Sequence, residues 1–277
     1  MEKNLLKMDL RVFPHFFSPN QGRKVPSLRQ IVDSYLASDL DVVALTSCHT
    51  ATSGMDRRFH DYMKELDTLR PHNYSYDDSG GILTVEGKSN RKIIIVHTQK
   101  VRAYDGDSPA YLNIIGTNTL ITPTRDIRET AREAIDLGAI VNVCDPTTKS
   151  GASLDTALGL ISDVAHGVEL GAANSKGDHL NLILSSGIFP IAVSGAHRYT
   201  SAGTSYTVFE SEKDFSIEEL KSEIIFGNFS PVHGNISFWR TFWDRDIHIL
   251  KSGLGHILAG GKRKEEYLKV VKGKKKD

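Results

Sequence analysis

The residues most suited to chemistry stand at the ends of apolar runs. Arg11, Phe13 and His15 come at or after the end of "MDLRVF", Ser47, Cys48 and His49 close "LDVVALTSCH", and Lys100 comes after "IIIVHT". Further on, Asp145 follows "IVNVC", Glu169 lies within "GVELG", and His197 follows "IAVSGA". Histidine, cysteine and carboxylates gathered on successive strand ends are what a metal ion needs as ligands. An arginine, a lysine and a phenylalanine among them are not, so the set reads as a metal-type site with cations and a space-filler inserted.

The elements that must position these residues can be read from periodicity. The runs "MDLRVF", "LDVVALTS", "RKIIIVHT", "LNIIGT", "GAIVNVCD", "GVELGA" and "FPIAVSG" have the near-continuous, β-branched hydrophobicity of strands covered on both faces, the signature of a parallel sheet. Between them, "SLRQIVDSYLASD", "TRDIRETAREAIDLG", "DTALGLISDVAH" and "DHLNLILSSG" carry apolar residues at three- and four-residue spacing with Ser or Asp near several starts, which predicts helices. Such alternation favours a single α/β barrel over an open sheet, and reactive groups in that fold gather past the carboxyl ends of the strands. The polar stretch "RPHNYSYDDSGGILTVEGKSNRK" predicts a hairpin excursion, and "VRAYDGDSPAY", with Asp105 and Asp107, a solvated turn between strands.

With 277 residues, 39% of them hydrophobic, the chain can bury a full-sized core. Thirty-four basic residues balance thirty-four acidic ones, so no overall field draws it to polyanions or membranes. Two cysteines make no disulfide framework, the first residues lack the pattern of a signal peptide, and no apolar run approaches the ~20 residues of a membrane span. These features lead to the expectation of a cytoplasmic protein with no membrane contact.

The order of "DLRVFPHFFS", "SLRQIVDSYLASDLDVVALTSCHT", "YLNIIG", "VCDP", "GVEL" and "IFPIAVSGAHRYTSAGTSYTVF" resembles the polymerase and histidinol phosphatase (PHP) domain family over residues 8 to about 227. That resemblance implies a distorted (β/α)7 barrel over residues 1–230, a single domain followed by an aromatic and basic C-terminal extension over 231–277. It also shows what is missing. Where the family carries D-L-H-x-H-T, T-D-H, A-H-P and S-D-A-H, this chain has Arg11 and Phe13, Ser47 and Cys48, Asp145, and Gly195. The family's bridging Glu falls at Lys100, and His197 alone keeps its identity. A trinuclear cluster that activates water against a phosphate ester cannot be rebuilt from these residues.

Two readings of the altered pocket stay open. Arg11 or Lys100 pairs internally with Asp145, since lone buried charges are too costly to leave, or Arg11 and Lys100 bind a phosphate or carboxylate. Glu169 then needs a cation of its own, either Lys100 or Arg11. A single-metal site, for Zn or Mn, would draw on Cys48, His197 and His15, with His49 as the other candidate. Three functions follow: a catalytically impaired barrel serving binding, assembly or regulation, with a phosphorylated small molecule or other anion as ligand and no cofactor; a divergent metal-dependent phosphoesterase; or a nucleic-acid-associated or structural assembly protein. For the last, the tail "KRKEEYLKVVKGKKKD" holds eight basic residues against three acidic ones and would supply nucleic-acid contact. Trp239 and Trp243 would supply a homo-oligomer or protein interface. His72, His166, His179, His233 and His256 have no spaced partner and read as packing or surface residues.

Overall fold

A computed structural model describes residues 4–13, 26–49, 58–70, 74–79, 81–87, 91–146, 153–171, 178–186, 190–195, 202–211 and 215–232. In chain order the elements are β1 (Asn4–Asp9), α1 (Leu28–Ala37), β2 (Val42–His49), α2 (Arg58–Met63), β3 (Ser75–Ser79), β4 (Ile82–Glu86), β5 (Lys92–Asp105) and β6 (Ser108–Ile115). They continue with α3 (Ile127–Asp136), β7 (Ile140–Cys144), α4 (Leu154–Asp163), β8 (Gly167–Gly171), α5 (Asp178–Ser185), β9 (Ile191–Val193), β10 (Tyr206–Ser211), α6 (Ile217–Phe226) and β11 (Phe229–Val232).

Helix starts follow the capping chemistry of the sequence. Ser27 and Gln30 form a reciprocal capping box on α1, Asp126 accepts from the N–H groups of Arg128 and Glu129, and Ser153 and Ser216 cap α4 and α6. Gly227 ends α6 in the left-handed conformation at φ 68°, which glycine adopts without steric cost.

The strands form one mixed sheet in the order β11-β10-β1-β2-β5-β6-β7-β8-β9, curled into a nearly closed barrel. The pairs β1–β2, β2–β5, β7–β8 and β8–β9 are parallel, as expected. β6 departs from the parallel reading, being antiparallel to both β5 and β7. Burial on both faces gives the same continuous hydrophobicity in either direction, so periodicity cannot set the sense of a strand. The deciding signal was the Asp-Gly pair of the turn, where Gly106 takes φ 58° and closes a β5–β6 hairpin. The polar excursion is the β3–β4 hairpin. β5 gives one edge to β2 and divides the other, its first half pairing with β4 and its second with β6.

At the seam between β9 and β10, side chains carry the contact. Thr207 Oγ1 accepts from Ala192 N (2.9 Å) and donates to Ala192 O (3.0 Å). Asp9, fully buried, accepts from Ser194 N at 2.9 Å and Gly203 N at 2.8 Å, which ties the end of β1 to the chain after β9. Burial pushes this carboxyl up to about 6, outweighing its backbone donors.

Inside the barrel an apolar layer of Met8, Leu10, Val42, Val96, Ile115, Ile140, Ile191 and Val193 meets Ile217, Leu220 and Ile224 of α6, which plugs that end. Two outer clusters pack α1 against β2, β4 and β5, and α3 and α4 against β5 to β8. No helix of the described residues is long and apolar enough to cross a membrane. The aromatic segment with Trp239 and Trp243, and the basic tail, lie outside the described residues.

Candidate functional site

Above the apolar layer the barrel lining turns polar. Asn113 and Asn142 face each other across the β6–β7 ladder, and both are fully buried. Each donates its side-chain amide to Glu169 Oε1, at 2.6 and 3.0 Å, and Asn113 also donates to Leu10 O at 3.1 Å. Glu169 is itself fully buried, and its Oε2 has no hydrogen bond among the described residues. Its pKa is raised by burial, against the opposing pull of Arg11 and the two amides. The direct partners of Glu169 are thus two asparagines that pattern reading did not flag, although a polar residue inside "LNII" and "IVNVC" was the available signal, and neither Arg11 nor Lys100 forms an ion pair with it among the described residues.

The next layer is built around Arg11. This side chain is 3% exposed, and its Nη1 lies 2.8 Å from Asp145 Oδ2. Asp145 follows β7 in the left-handed region, at φ 41°, a conformation that Asp tolerates better than most residues. Its Oδ1 accepts from Gly171 N at 2.7 Å. Two glycines make room for the guanidinium: a Cβ on Gly171 would stand 2.5 Å from Arg11 Nη2, and one on Gly195 would stand 3.4 Å from it. Arg11 Nε is buried without a hydrogen-bond acceptor among the described residues.

The electrostatics follow from this enclosure. Burial alone would raise the Asp145 carboxyl, but the Arg11 charge and hydrogen bond, with Lys100 and the Gly171 N–H, hold it down at about 2. Arg11 is raised in turn, burial being outweighed by the negative charge around it. Burial pushes the Cys144 thiol up to about 12, which makes it an inert core group.

Lys100 takes a different position from Arg11. Half-buried on β5, its Nζ sits 4.6 Å from the Tyr111 ring centroid and 5.9 Å from that of Phe13. Cys48, also half-buried, is its register partner on β2, so the two share the inner face. His49 is buried with Nδ1 3.2 Å from Ile121 O, on the flank of the segment that also receives His97 Nδ1 at Thr117 O (2.7 Å) and His60 Nε2 at Asn118 O (2.8 Å). Burial lowers His97 to about 3, so it stays a neutral packing residue. His166, far from the mouth, accepts from Val141 N at 3.0 Å. His15 and His197 lie outside the described residues.

No known protein-family profile matches the chain. No curated protein matches it in sequence either. Among solved structures it is similar to the lesion-specific endonuclease PfuEndoQ from Pyrococcus furiosus, at 17% identity and a TM-score of 0.55 over 82% of this chain. The chain spans 58% of the length of that endonuclease. It is also similar to PsfC from Pseudomonas syringae, at 14% identity and a TM-score of 0.54, over 91% of this chain and 99% of that one. At these identities the likeness is one of fold.

A metal ion at the centre of this mouth does not fit the residues around Arg11. A guanidinium stands there, and the Asp145 oxygens are taken up by it and by the Gly171 N–H. Among the described residues no group of three or more His, Cys, Asp or Glu is arranged to hold a metal.

Proposed function

We propose that the chain is a PHP-like barrel whose mouth binds an anionic group, phosphate or carboxylate, through fixed side-chain cations, and that it does not hydrolyse phosphate esters. The observation that carries this reading is the Arg11–Asp145 pair seated between Gly171 and Gly195, because a guanidinium built into the wall leaves no room for the ion it displaces. Arg11 supplies fixed positive charge from below, and Lys100, surrounded by rings and half-open to solvent, makes the contact. General acid–base chemistry is poorly served here: Asp145 at about 2 and Cys144 at about 12 stand far from neutrality, and Glu169 is sealed from solvent.

Elemental analysis of the purified chain and turnover of p-nitrophenyl phosphate and bis(p-nitrophenyl) phosphate with added Mn²⁺ or Zn²⁺ test the proposal. No stoichiometric transition metal and no turnover are expected, while inorganic phosphate binds the wild type and not Lys100→Gln. Two or three bound ions, or turnover, would refute it. A second reading rests on the inner-face position of Cys48 beside Lys100: a phosphoesterase in which Cys48, His197 and His15 hold one divalent metal. Turnover abolished by His197→Ala would establish that reading instead.

A further inference from the structure

Past the rim of the barrel, the β5–β6 hairpin continues the inner wall. Lys100 pairs with Asn113, Arg102 with Tyr111, and Tyr104 with Pro109, so these residues alternate onto one face with the polar lining below them. Lys100 lies over the Tyr111 ring at 4.6 Å, and Arg102 lies over the Tyr104 ring at 5.2 Å. All four side chains are half-buried, so each keeps part of its surface in contact with solvent. Among the described residues neither Lys100 nor Arg102 is in an ion pair, and Arg102 Nε has no hydrogen-bond acceptor.

The arm is held in place along its outer edge. Thr124 N donates to Arg102 O at 2.7 Å, and Tyr104 N donates to Arg125 O at 2.9 Å. At the tip, Asp105 accepts from Thr156 Oγ1 at 2.6 Å, which ties one of the turn's two carboxylates to α4, while Asp107 is exposed to solvent. A pre-ordered strand pair that presents two cations without carboxylate partners, interleaved with two tyrosine rings, has the composition of a surface that reads phosphate and stacks a planar base.

From this we infer that the face formed by Lys100, Arg102, Tyr104 and Tyr111 binds a nucleotide unit, its phosphate on Lys100 and Arg102 and its base against the tyrosines. The unit is either a free nucleotide or part of a single strand. The inference rests on the anion-binding reading of the same mouth and narrows its ligand class. A carboxylate or sugar phosphate would use the cations alone; the rings add something only for a ligand with a π face.

Isothermal titration of the full chain with ribose 5-phosphate, AMP, adenosine and the oligonucleotide dT8 tests it. AMP is expected to bind at least about fivefold tighter than ribose 5-phosphate, the lower bound of one stacked base. Tyr111→Leu should weaken AMP severalfold more than ribose 5-phosphate and so shrink that advantage, and Arg102→Gln, which leaves the ring in place, should weaken both ligands alike. Tighter binding of dT8 than of its monomer, with a steep loss on added salt, marks the strand as the source; equal affinity marks the free nucleotide. Equal binding of AMP and ribose 5-phosphate overturns the nucleotide inference and leaves the anion pocket standing. Failure of every phosphate ligand to bind overturns both.

Discussion

Replacing Asp145 by Asn removes the countercharge of a guanidinium that is 3% exposed. The change is nearly isosteric, and Asn tolerates the left-handed backbone at φ 41°, so the effect reports charge and not strain. Breaking one side of a buried ion pair costs about 3–5 kcal/mol because the remaining charge stays uncompensated. Here the upper half of that range applies, since Arg11 cannot deprotonate and glycines wall it in. The reverse change, Arg11→Met, leaves Asp145 with its Gly171 N–H donor, the nearby Lys100 charge and 13% exposure, and should cost about 1–3 kcal/mol. The double variant carries neither charge and should recover much of the loss. Urea denaturation at pH 7 of the wild type, both single variants and the double variant yields the coupling energy, expected at about 2 kcal/mol or more. A loss below about 1 kcal/mol for Asp145→Asn, or simple additivity, would show that solvent or another group serves Arg11 and would remove the basis for a rebuilt mouth.

The same pair sets a pH dependence. The Asp145 carboxyl falls from its ordinary value of 3.8 to about 2 on folding, so its stabilisation is fully present above about pH 4 and is lost as pH drops toward 2; thermal midpoints of Asp145→Asn should not show that loss. Asp9 runs in the opposite direction: raised to about 6, it stabilises the fold most below about pH 4 and loses that contribution, up to about 3 kcal/mol, as pH rises through 6. Asp9→Asn should flatten this slope in a pH series of melting curves, and an unchanged slope would assign it to another group. Gly171→Ala places a Cβ 2.5 Å from Arg11 Nη2 and should destabilise by about 1–3 kcal/mol, but by less than about 1 kcal/mol in an Arg11→Met background; an equal loss in both backgrounds would mean that the clash lies elsewhere.

How much of this was legible in the sequence depends on which physical signal each residue leaves. The strand runs and the capped helices were readable because burial and capping act locally. The direction of β6 was not, since both faces of that strand are buried in either orientation, and its Asp-Gly turn was read only as solvated. The rule that side chains gather past strand ends brought Arg11, Lys100 and Asp145 into one neighbourhood. The same rule had no way to find Gly171, whose contribution is the absence of a Cβ, nor the pairing of Asn113 with Asn142, which depends on register between strands that are distant in sequence. Separating the roles of the two cations likewise required depth: Arg11 is enclosed and paired, and Lys100 is half-open between rings.

That separation bears on what a rebuilt mouth can and cannot do. A metal ion in such a barrel contributes two things, positive charge that holds a phosphate and acidification of a bound water that supplies the nucleophile. A buried guanidinium substitutes for the first only as fixed charge beneath the opening, and with a pKa raised even above its usual value by the negative charge around it, it neither takes nor gives a proton. Lys100 adds charge at the rim without a carboxylate partner among the described residues, so under the proposed function the field at the opening favours anions. On this reading, chelators leave ligand binding unchanged and salt weakens it, because the contacting charge belongs to the half-open Lys100 side chain and not to an exchangeable ion. Loss of phosphate binding on treatment with EDTA, reversed by Zn²⁺ or Mn²⁺, would restore the metal to the mechanism and reassign Cys48 from the wall to the ligand set.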